Sequence, residues 1–478
     1  MPKADTTKRQ RASQVCDFCH ARGLRCRCGA AGEDDHQAIR STGCLTCKDY
    51  GVSCKMDRPV KKRGRRPQVM CPDENEVDTT RDLHAMSLQT THRLVRIYRD
   101  TMYQCYFPFL NEKDLLTRWE DRIPDAEEPS YMLLMALCAV SSHTAALEAV
   151  FDKTLLEDFA IPDSKRYFVE AVSKIPARFS MPQDFDYLRS FGLLTVYSLQ
   201  CGNNSDLHRY LGMYHALVAE YGFHDESRWP DNTSLSEVDD RRRLFWCVYR
   251  LEIHSSCVFG HMVRLPEAQV SVYYPRITPT MDPEIQAWII GWDYITDLFR
   301  LLEYAIIGLR ACKNRKALLA VLCDRPSPTM LLDSLAQLKA NKSRTLTRLN
   351  DSDGEYSSNR CKYMAVQINC TETITTIMAL LYCQAPARDV MAVAQKFLQE
   401  LSSAPLIMFK IASSQIVHQL LGVGHMFSNA SRYDSDRYRT EAKRLIAFLG
   451  DLVKSLESVV PAAGSAGDKL LRLAEANT

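Results

Sequence analysis

The sequence predicts a mainly α-helical protein with a small cysteine-rich module near its N-terminus. Seven of the 18 cysteines lie within the first 54 residues. The stretch that follows is basic and contains several prolines, which discourage helix. From about Leu83 to the end, apolar residues recur at helical spacing between short Pro, Gly or Asn breaks, without convincing strand alternation. We therefore expect a cysteine-rich module, a flexible basic linker and one large all-α domain.

Six of the N-terminal cysteines form two copies of one spacing, C-x2-C-x6-C, joined by a 17-residue loop. Zinc takes four tetrahedral ligands, with Zn–S distances near ~2.3 Å, and each copy offers only three thiolates. Sharing solves the shortage, so we predict two Zn(II) ions held by six thiolates. By the symmetry of the repeat, Cys16 and Cys44 are assigned as the bridging ligands. The six predicted ligands are Cys16, Cys19, Cys26, Cys44, Cys47 and Cys54.

This cysteine pattern resembles the DNA-binding domain of the fungal binuclear zinc-cluster transcription factors, and Gly51 before Cys54 also matches it. The resemblance implies that a helix after the second cysteine enters the major groove of double-stranded DNA and reads a short CGG-like triplet. Arginine makes the commonest specific contact with guanine, so Arg22 is predicted to read bases. Three further residues are predicted nearer the phosphates: Arg25, Lys48 and His20.

The sequence departs from the family pattern at several positions. Gly23 stands where the family usually has a base-contacting lysine, and glycine weakens a helix by about 1 kcal/mol relative to alanine. Cys28 is a seventh thiol that competes with Cys26, although the repeated spacing favours Cys26. The loop between the two copies is long and acidic at residues 33–35. These departures leave open a second function, that of a protein–protein coregulator whose zinc cluster is structural and whose DNA affinity is non-specific.

Charge separates the N-terminal region from the rest of the chain. Residues 1–70 contain sixteen Lys and Arg against seven Asp and Glu, a net of +9, which leaves −7 for the remainder because the whole chain carries +2. Only this region has the charge of a nucleic-acid binder. Its basic cluster at residues 61–67 is interpreted first as a nuclear localisation signal and second as phosphate contacts, with an A·T-hook as a further hypothesis. The basic residues are Lys61, Lys62, Arg63, Arg65 and Arg66.

Four phrases in the helical segment resemble, in order, the middle homology region of the same family. They lie at residues 102–110, 214–224, 241–246 and 260–266. In the second, a helix should end at Gly222 in a left-handed cap. The third contains the triplet Arg241-Arg242-Arg243 followed by Trp246, for which internal pairing and burial are the plainest interpretation. The family implies that this domain restrains the DNA-binding module or the activation function until a partner or small metabolite releases it.

The predicted domains are a disordered basic N-terminus at 1–15, the zinc-cluster DNA-binding domain at 16–54, the basic linker at 55–82 and the all-α regulatory domain at 83–478. The middle homology region is expected at roughly 100–280. Between Thr80 and Met102 we predict one amphipathic helix, which is too short and interrupted for a clean coiled coil. A homodimer and a monomer on asymmetric sites therefore both remain open.

The sequence carries no phosphate-binding loop, dinucleotide-binding fingerprint, nucleophile elbow or zincin motif, so no enzyme is predicted. No run approaches the roughly 18 apolar residues that cross a bilayer, and no membrane partner is expected. Eleven cysteines outside the module are interpreted as small buried apolar residues of a reduced, intracellular protein. We predict a nuclear, zinc-dependent, sequence-specific regulator of RNA polymerase II, an activator in a fungus, whose partners are double-stranded DNA and the transcription machinery or coregulators.

Overall fold

The computed structural model describes residues 16–17, 43–49, 52–55, 57, 87–105, 110, 112–177, 184–313, 327–343, 346, 358–402, 405–431, 436–457, 460 and 464–476. The chain divides into two compact units, Met1–Val77 and Asp78–Thr478. Among the described residues the regular elements are helices, and a single parallel bridge joins Asp225 to Ser271. The predicted mainly α fold is confirmed. The finer domain boundaries stay predictions.

The described part of the first unit contains one short helix, α1 (Leu45–Asp49). It begins directly after Cys44, whose carbonyl accepts a hydrogen bond from the Lys48 backbone N–H at 3.2 Å. The Cys47 carbonyl accepts from the Val52 N–H at 3.0 Å, which turns the chain back after the helix. The helix thus begins directly after Cys44 and contains Cys47, two cysteines of the second repeat.

The second unit is built of helices connected by short turns. Their bounds are α2 (Leu88–Asp100), α3 (Met102–Cys105), α4 (Glu112–Thr117), α5 (Pro129–Ala146), α6 (Ser164–Ser173), α7 (Phe185–Gln200), α8 (Asn204–Tyr221), α9 (Leu235–Phe259), α10 (Pro283–Lys313), α11 (Pro328–Ala340), α12 (Asn359–Tyr382), α13 (Ala387–Ser402), α14 (Leu406–Ala412), α15 (Ser414–Ser431), α16 (Asp436–Leu456) and α17 (Ala466–Ala476). Three 3₁₀ turns lie at Lys153–Leu156, Glu226–Arg228 and Glu267–Gln269.

The helix starts are set by polar caps rather than by the first apolar residue. Side chains of Asn203, Ser234 and Ser358 accept backbone N–H groups at the starts of α8, α9 and α12. Such caps satisfy donors that have no partner inside the helix. The largest difference from the sequence-based expectation is in α12. The apolar spacing predicts a helix from Thr371 to Cys383, whereas α12 begins twelve residues earlier, at Asn359. Helix α8 ends at Gly222 with φ +63°, the predicted left-handed cap.

The core of the second unit is formed around helices that are buried on most sides. Helix α5 is buried along residues 131–142 and packs against α2, α6 and α7. Helix α10 packs along α12, which in turn contacts α13 and α15. Helices α15, α16 and α17 form the C-terminal group. The stretch matched by the middle phrases and the C-terminal helices therefore share one continuous apolar core.

The predicted amphipathic helix is present as α2, with its apolar face turned into this core. Leu94 and Ile97 are fully buried, and Tyr98 is 1% exposed. Helix α2 packs chiefly against α5 of its own domain. Its apolar residues are thus already covered within one chain, which supports the prediction that this helix is no coiled coil.

Helix α12 is long and apolar enough to pass a test of length and composition for a membrane span, and 67% of its tested stretch is buried inside the domain. The pair α14 and α15 passes only if two helices bent by 96° are counted as one span. Buried core helices pass the same test. The expectation that the protein has no membrane partner stays a prediction.

The cysteines of the second unit are only partly as expected. Cys105, Cys138, Cys247, Cys361 and Cys370 are buried, as predicted for small apolar residues. Cys201 and Cys312, in contrast, are exposed. Cys201 directly follows α7, and Cys312 is the penultimate residue of α10.

Candidate metal centre

Four cysteine sulfurs converge in the first unit, those of Cys16, Cys44, Cys47 and Cys54, and all lie within 4.8 Å of one another. Cys16 Sγ lies 3.8 Å from Cys44 Sγ and 3.6 Å from Cys47 Sγ. Four thiolates at a Zn–S distance of ~2.3 Å in a tetrahedron have sulfurs about 3.8 Å apart. The spacing therefore fits one tetrahedral zinc ion. Three of the sulfurs belong to the second repeat, and the fourth comes from the first.

Backbone contacts hold Cys16 beside the second repeat. The Asp17 N–H donates to the Lys55 carbonyl at 3.0 Å, and the Asp17 carboxylate accepts the Asp57 N–H at 2.8 Å. Gly43 has φ +71°, and a Cβ there would lie 3.2 Å from the Cys54 Cβ, so glycine allows the close approach. Sequence reasoning missed both features, although a glycine directly before a ligand cysteine is a usable signal for them.

The sulfurs also accept backbone hydrogen bonds, from the Cys44 N–H to Cys54 Sγ at 3.4 Å and from the Cys47 N–H to Cys44 Sγ at 3.3 Å. Burial, and then the Cys44 thiol, raise the pKa of Cys47, and burial raises the pKa of Cys54. A group of buried thiols therefore resists deprotonation to thiolates unless a nearby cation balances the negative charge. A divalent soft-to-borderline metal supplies that charge, and backbone N–H groups aimed at sulfur are suited to thiolates.

A metal held here would have four protein ligands and no open position. Such saturated cysteine sites are structural, whereas catalytic zinc keeps one position for water or substrate. Cys16 Sγ lies close to both Cys44 Sγ and Cys47 Sγ, so a first-repeat thiolate completes the second-repeat set. This is the arrangement that the predicted bridging role of Cys16 requires.

The other predicted site residues divide between described and undescribed parts of the chain. Lys48 lies on α1 and is exposed, one residue after Cys47. The remaining predicted ligands and DNA contacts lie outside the described residues, namely Cys19, Cys26, His20, Arg22 and Arg25. So do Cys28 and the whole basic cluster, Lys61, Lys62, Arg63, Arg65 and Arg66. Their roles stay predictions.

In the second unit, the arginine triplet of α9 is paired within the domain. Arg242 donates from Nε and Nη2 to the two carboxylate oxygens of Glu226, both at 2.7 Å. Arg241 pairs with Glu237 at 2.7 Å, and Arg243 with Asp240 at 3.2 Å. A bidentate arginine–carboxylate contact fixes geometry as well as charge. The Arg242 pair therefore ties α9 to the 3₁₀ turn at Glu226–Arg228, while the other two pairs lie within α9. The triplet is paired inside the domain, as the structural interpretation predicted.

Trp246, which follows the triplet, is 5% exposed and donates from its indole N–H to the Tyr273 carbonyl at 3.0 Å. Glu226 in turn accepts the Tyr273 N–H at 2.7 Å. Residues 271–274 are thus held against α9 by both an arginine partner and a tryptophan.

His215 of the second phrase and Arg264 of the fourth both contact Glu252 of α9, at 3.2 and 2.7 Å. These two phrases and the third, which lies on α9, therefore belong to one packed structure.

The described geometry defines a two-part protein: a cysteine centre suited to a structural metal ion, and a large helical domain. Residues 95–287 of that domain match the sequence profile of the fungal specific transcription factor domain. The predicted resemblance to a fungal transcription factor with a fungal-specific middle region is thereby confirmed.

Two curated proteins of Saccharomyces cerevisiae (strain ATCC 204508 / S288c) are similar to parts of the chain. A transcriptional regulatory protein is 24% identical over 144 residues, which cover 30% of this chain and 18% of that protein. Pyrimidine pathway regulatory protein 1 is 29% identical over 111 residues, which cover 23% of this chain and 12% of that protein. The matches therefore span less than a fifth of each relative. Together with the domain match they support transcription regulation and favour a regulator over an enzyme.

Proposed function

We propose that this chain is a nuclear transcription factor that binds specific DNA sequences through a zinc cluster of six cysteine thiolates and two zinc ions. The observation that carries the proposal is the convergence of four cysteine sulfurs from both repeats within 4.8 Å. A single ion whose four ligands all lay in one repeat would need no ligand from the other repeat. Here each repeat has three, and the described site takes its fourth ligand from the other.

The full ligand set is Cys16, Cys19, Cys26, Cys44, Cys47 and Cys54. Cys16 supports this set because its sulfur lies 3.6 and 3.8 Å from two ligands of the second repeat. By symmetry, Cys44 would bridge to a second ion held by Cys19 and Cys26. When bound, zinc would supply the fixed tetrahedral geometry that a module of this size needs for folding.

DNA binding would come from the positive charge of residues 1–70 and from the predicted helix that follows the second cysteine, Cys19. We assign base contact to Arg22 and phosphate contact to Arg25, His20 and Lys48. The exposed position of Lys48 on α1 leaves its ammonium accessible to a phosphate. The basic cluster at residues 61–66 would add phosphate contacts and direct the protein to the nucleus.

The helical domain is proposed as the regulatory part, in contact with the transcription machinery or coregulators. Its residues 95–287 match a transcription factor domain, and its arginine triplet is used for internal pairing. Direct nucleic-acid contact by the triplet would therefore require breaking ion pairs. We expect an activator, in line with the sequence interpretation, and a homodimer is left to experiment.

A coregulator with a structural zinc cluster is the second candidate function. Gly23 in place of the family's lysine and the acidic loop at residues 33–35 favour it. Such a protein would bind DNA through charge alone. Its affinity would fall steeply with salt and would discriminate little between sequences.

Selection of binding sites from random duplexes tests the proposal, using the full-length zinc-loaded chain. We expect enrichment of one short motif. Cys44→Ala should abolish the enrichment because it removes a ligand and, in the proposed cluster, a bridge. Cys312→Ala is the matched control, because it deletes an exposed thiol on α10 and should leave the motif unchanged.

Arg22→Ala, tested on the enriched duplex, should weaken binding by about 1–3 kcal/mol and relax specificity at one position. Lys48→Ala should instead weaken binding to all sequences alike. If selection returns no motif and binding is only salt-sensitive, sequence-specific recognition is contradicted. The coregulator function would then explain the data.

A further inference from the structure

A small cavity lies inside the helical domain, between α9, α10, α12 and α15. Its volume is about 30 Å³, and Arg250, Trp292, Gln367 and Gln415 are its polar lining residues. The remaining walls are largely apolar, from Leu251, Ile295 and Phe299. A water requires roughly 10–15 Å³, so the cavity admits two or three water-sized groups. Arg250 and Trp292 also line a second small cavity, of about 20 Å³.

Arg250 is the unusual member of this lining. It is only 8% exposed, and its guanidinium carbon lies 4.3 Å from the centre of the Trp292 ring. It donates from Nη1 to Thr296 Oγ1 at 2.7 Å and also hydrogen-bonds to the Cys247 side chain. Among the ion pairs of the described residues, none includes Arg250. Burying a guanidinium costs free energy, and without a carboxylate at contact distance no ion pair offsets that cost.

Arg189, in the same domain, is a buried arginine whose positive charge is balanced by carboxylates. It is 6% exposed and contacts two carboxylates, Asp186 at 3.0 Å and Asp240 at 3.5 Å. Near Arg250 the corresponding carboxyl is Asp293, which makes no ion pair with it within 4.0 Å. Burial raises the pKa of Asp293 to about 7, against the opposing effect of Arg250. Burial therefore disfavours the charged form of Asp293, which makes this carboxyl a weak counter-ion for Arg250.

Two further polar atoms at the cavity have no partner. The Trp292 Nε1–H is a buried donor, and Gln415 Oε1 is a buried acceptor on a residue that is 8% exposed. Turning the Gln415 amide by 180° about its last bond would present its NH₂ group to the same cavity. Arg250, Trp292 and Gln415, which all line this cavity, would then offer guanidinium, indole and amide N–H groups, and all three are donors that suit an anion.

We propose that this cavity binds a small monovalent anion, either an inorganic ion such as chloride or the carboxylate of a small acid. Arg250 would supply the positive charge, and Trp292 Nε1–H and the Gln415 amide would supply directed hydrogen bonds. The cavity volume restricts the bound group to a single ion or a carboxylate head. Because helices from the matched domain and from the C-terminal group line the cavity, the bound anion would stabilise their contact.

The test measures stability of the full-length protein in urea, followed by tryptophan fluorescence, with sodium gluconate as the bulky reference salt. Gluconate is replaced stepwise by sodium chloride, formate or acetate at constant ionic strength. We expect a saturable gain in stability with chloride, with the carboxylates or with both. The salt that produces the gain identifies the anion's chemical source.

Arg250→Met should reduce the apparent anion affinity at least tenfold, while stability in gluconate is kept or raised because an uncompensated buried charge is removed. Trp292→Phe, which keeps the ring packing and loses the N–H, should also weaken the anion response. Arg189→Met is the matched control, because it should lower stability and leave the anion response intact.

A gain of equal size in wild-type protein and Arg250→Met, or no saturable gain with any of the three anions, would overturn the proposal. The cavity would then hold water only. If Arg250→Met fails to fold, Trp292→Phe carries the same decision. Neither result depends on DNA binding, since the readout concerns the helical domain.

Discussion

Gly212 and Gly222 show how one helix imposes opposite demands on the same residue type. Gly222 caps α8 with φ +63°, and a Cβ there would lie 2.4 Å from Arg228 Nε. Gly212 lies inside α8 with nothing within 4 Å of its virtual Cβ. Gly222→Ala should therefore destabilise by about 1–3 kcal/mol through left-handed strain and the displaced Arg228 side chain. Gly212→Ala should stabilise by about 0.5–1 kcal/mol, since alanine favours helix.

Urea unfolding of the two variants checks this pair. Each serves as the control for the other, because both add one methyl group to the same helix. Equal effects of the two substitutions would contradict the assigned cap.

At this scale the sequence predicts residues whose chemistry is local. The repeated cysteine spacing predicts a shared thiolate set, and Gly222 was predicted as a cap that the structure confirms. The Asp17–Asp57 contact and the unpaired burial of Arg250 were not predicted. Both depend on which distant segments meet, and neither residue type carries that information in its neighbours.

Helix α2 offers the clearest prediction at the scale of elements. Leu94→Ala should lower the free energy of unfolding by about 2–5 kcal/mol, because Leu94 is fully buried against the chain's own core. The oligomeric state, measured by sedimentation, should not change. Gln89→Ala, at an exposed position of the same helix, is the control and should alter neither quantity. Loss of a dimer in Leu94→Ala at unchanged stability would contradict the assignment of α2 to the core.

Helices α9 and α15 meet at two histidines, of which His254 is buried and His418 is half-buried. Burial, and then the charge of His418, lower the pKa of His254 to about 3. Burial, and then Lys469, lower the pKa of His418 to about 4. The unfolded chain therefore binds more protons below about pH 6.5, so stability should fall as pH falls through that value. Each histidine should contribute a loss of about 2 kcal/mol between pH 7 and 5.

The measurement is the free energy of unfolding at pH 7 and 5 for the wild type and for His254→Leu with His418→Leu. The double variant should show the smaller difference between the two pH values. His425→Leu, at an exposed position on α15, is the control. An unchanged pH difference in the double variant would show that these histidines already titrate as in the unfolded chain.

The presence of the long helices could be predicted from the sequence, whereas their first and last residues were harder to predict. Apolar periodicity predicts α5, α7, α8 and α9, whose cores are long and regular. Helix α12 begins twelve residues before the predicted start because Ser358 caps it and its first turns are polar on one side. A polar first turn gives no periodic signal, so only the cap marks the true beginning.

For the whole molecule, two compact units predict two independent responses to metal removal. A chelator should abolish DNA binding, since the proposed cluster is needed to fold the first unit. It should leave most of the helical signal in circular dichroism, because the helices of the second unit have an apolar core of their own. Readdition of zinc should restore DNA binding. A large loss of helix on chelation would contradict this independence.

The pairing of helices across the whole molecule lay beyond sequence reasoning. Helices α10 and α12 pack along each other although 45 residues separate the end of α10 from the start of α12. Helix α12 also contacts α15. Periodicity predicts an apolar face without saying which other face covers it. The internal cavity beside Arg250 depends on four such helices and so could not be predicted from any one of them.

The central claim is that six thiolates from two repeats share two zinc ions. Native mass spectrometry of the full-length protein tests it most directly by counting bound zinc. The wild type should bind two ions, and Cys16→Ser should lose both because it removes a proposed bridge. Cys312→Ser should keep both. A single zinc ion in the wild type, or two ions retained in Cys16→Ser, would contradict the shared cluster.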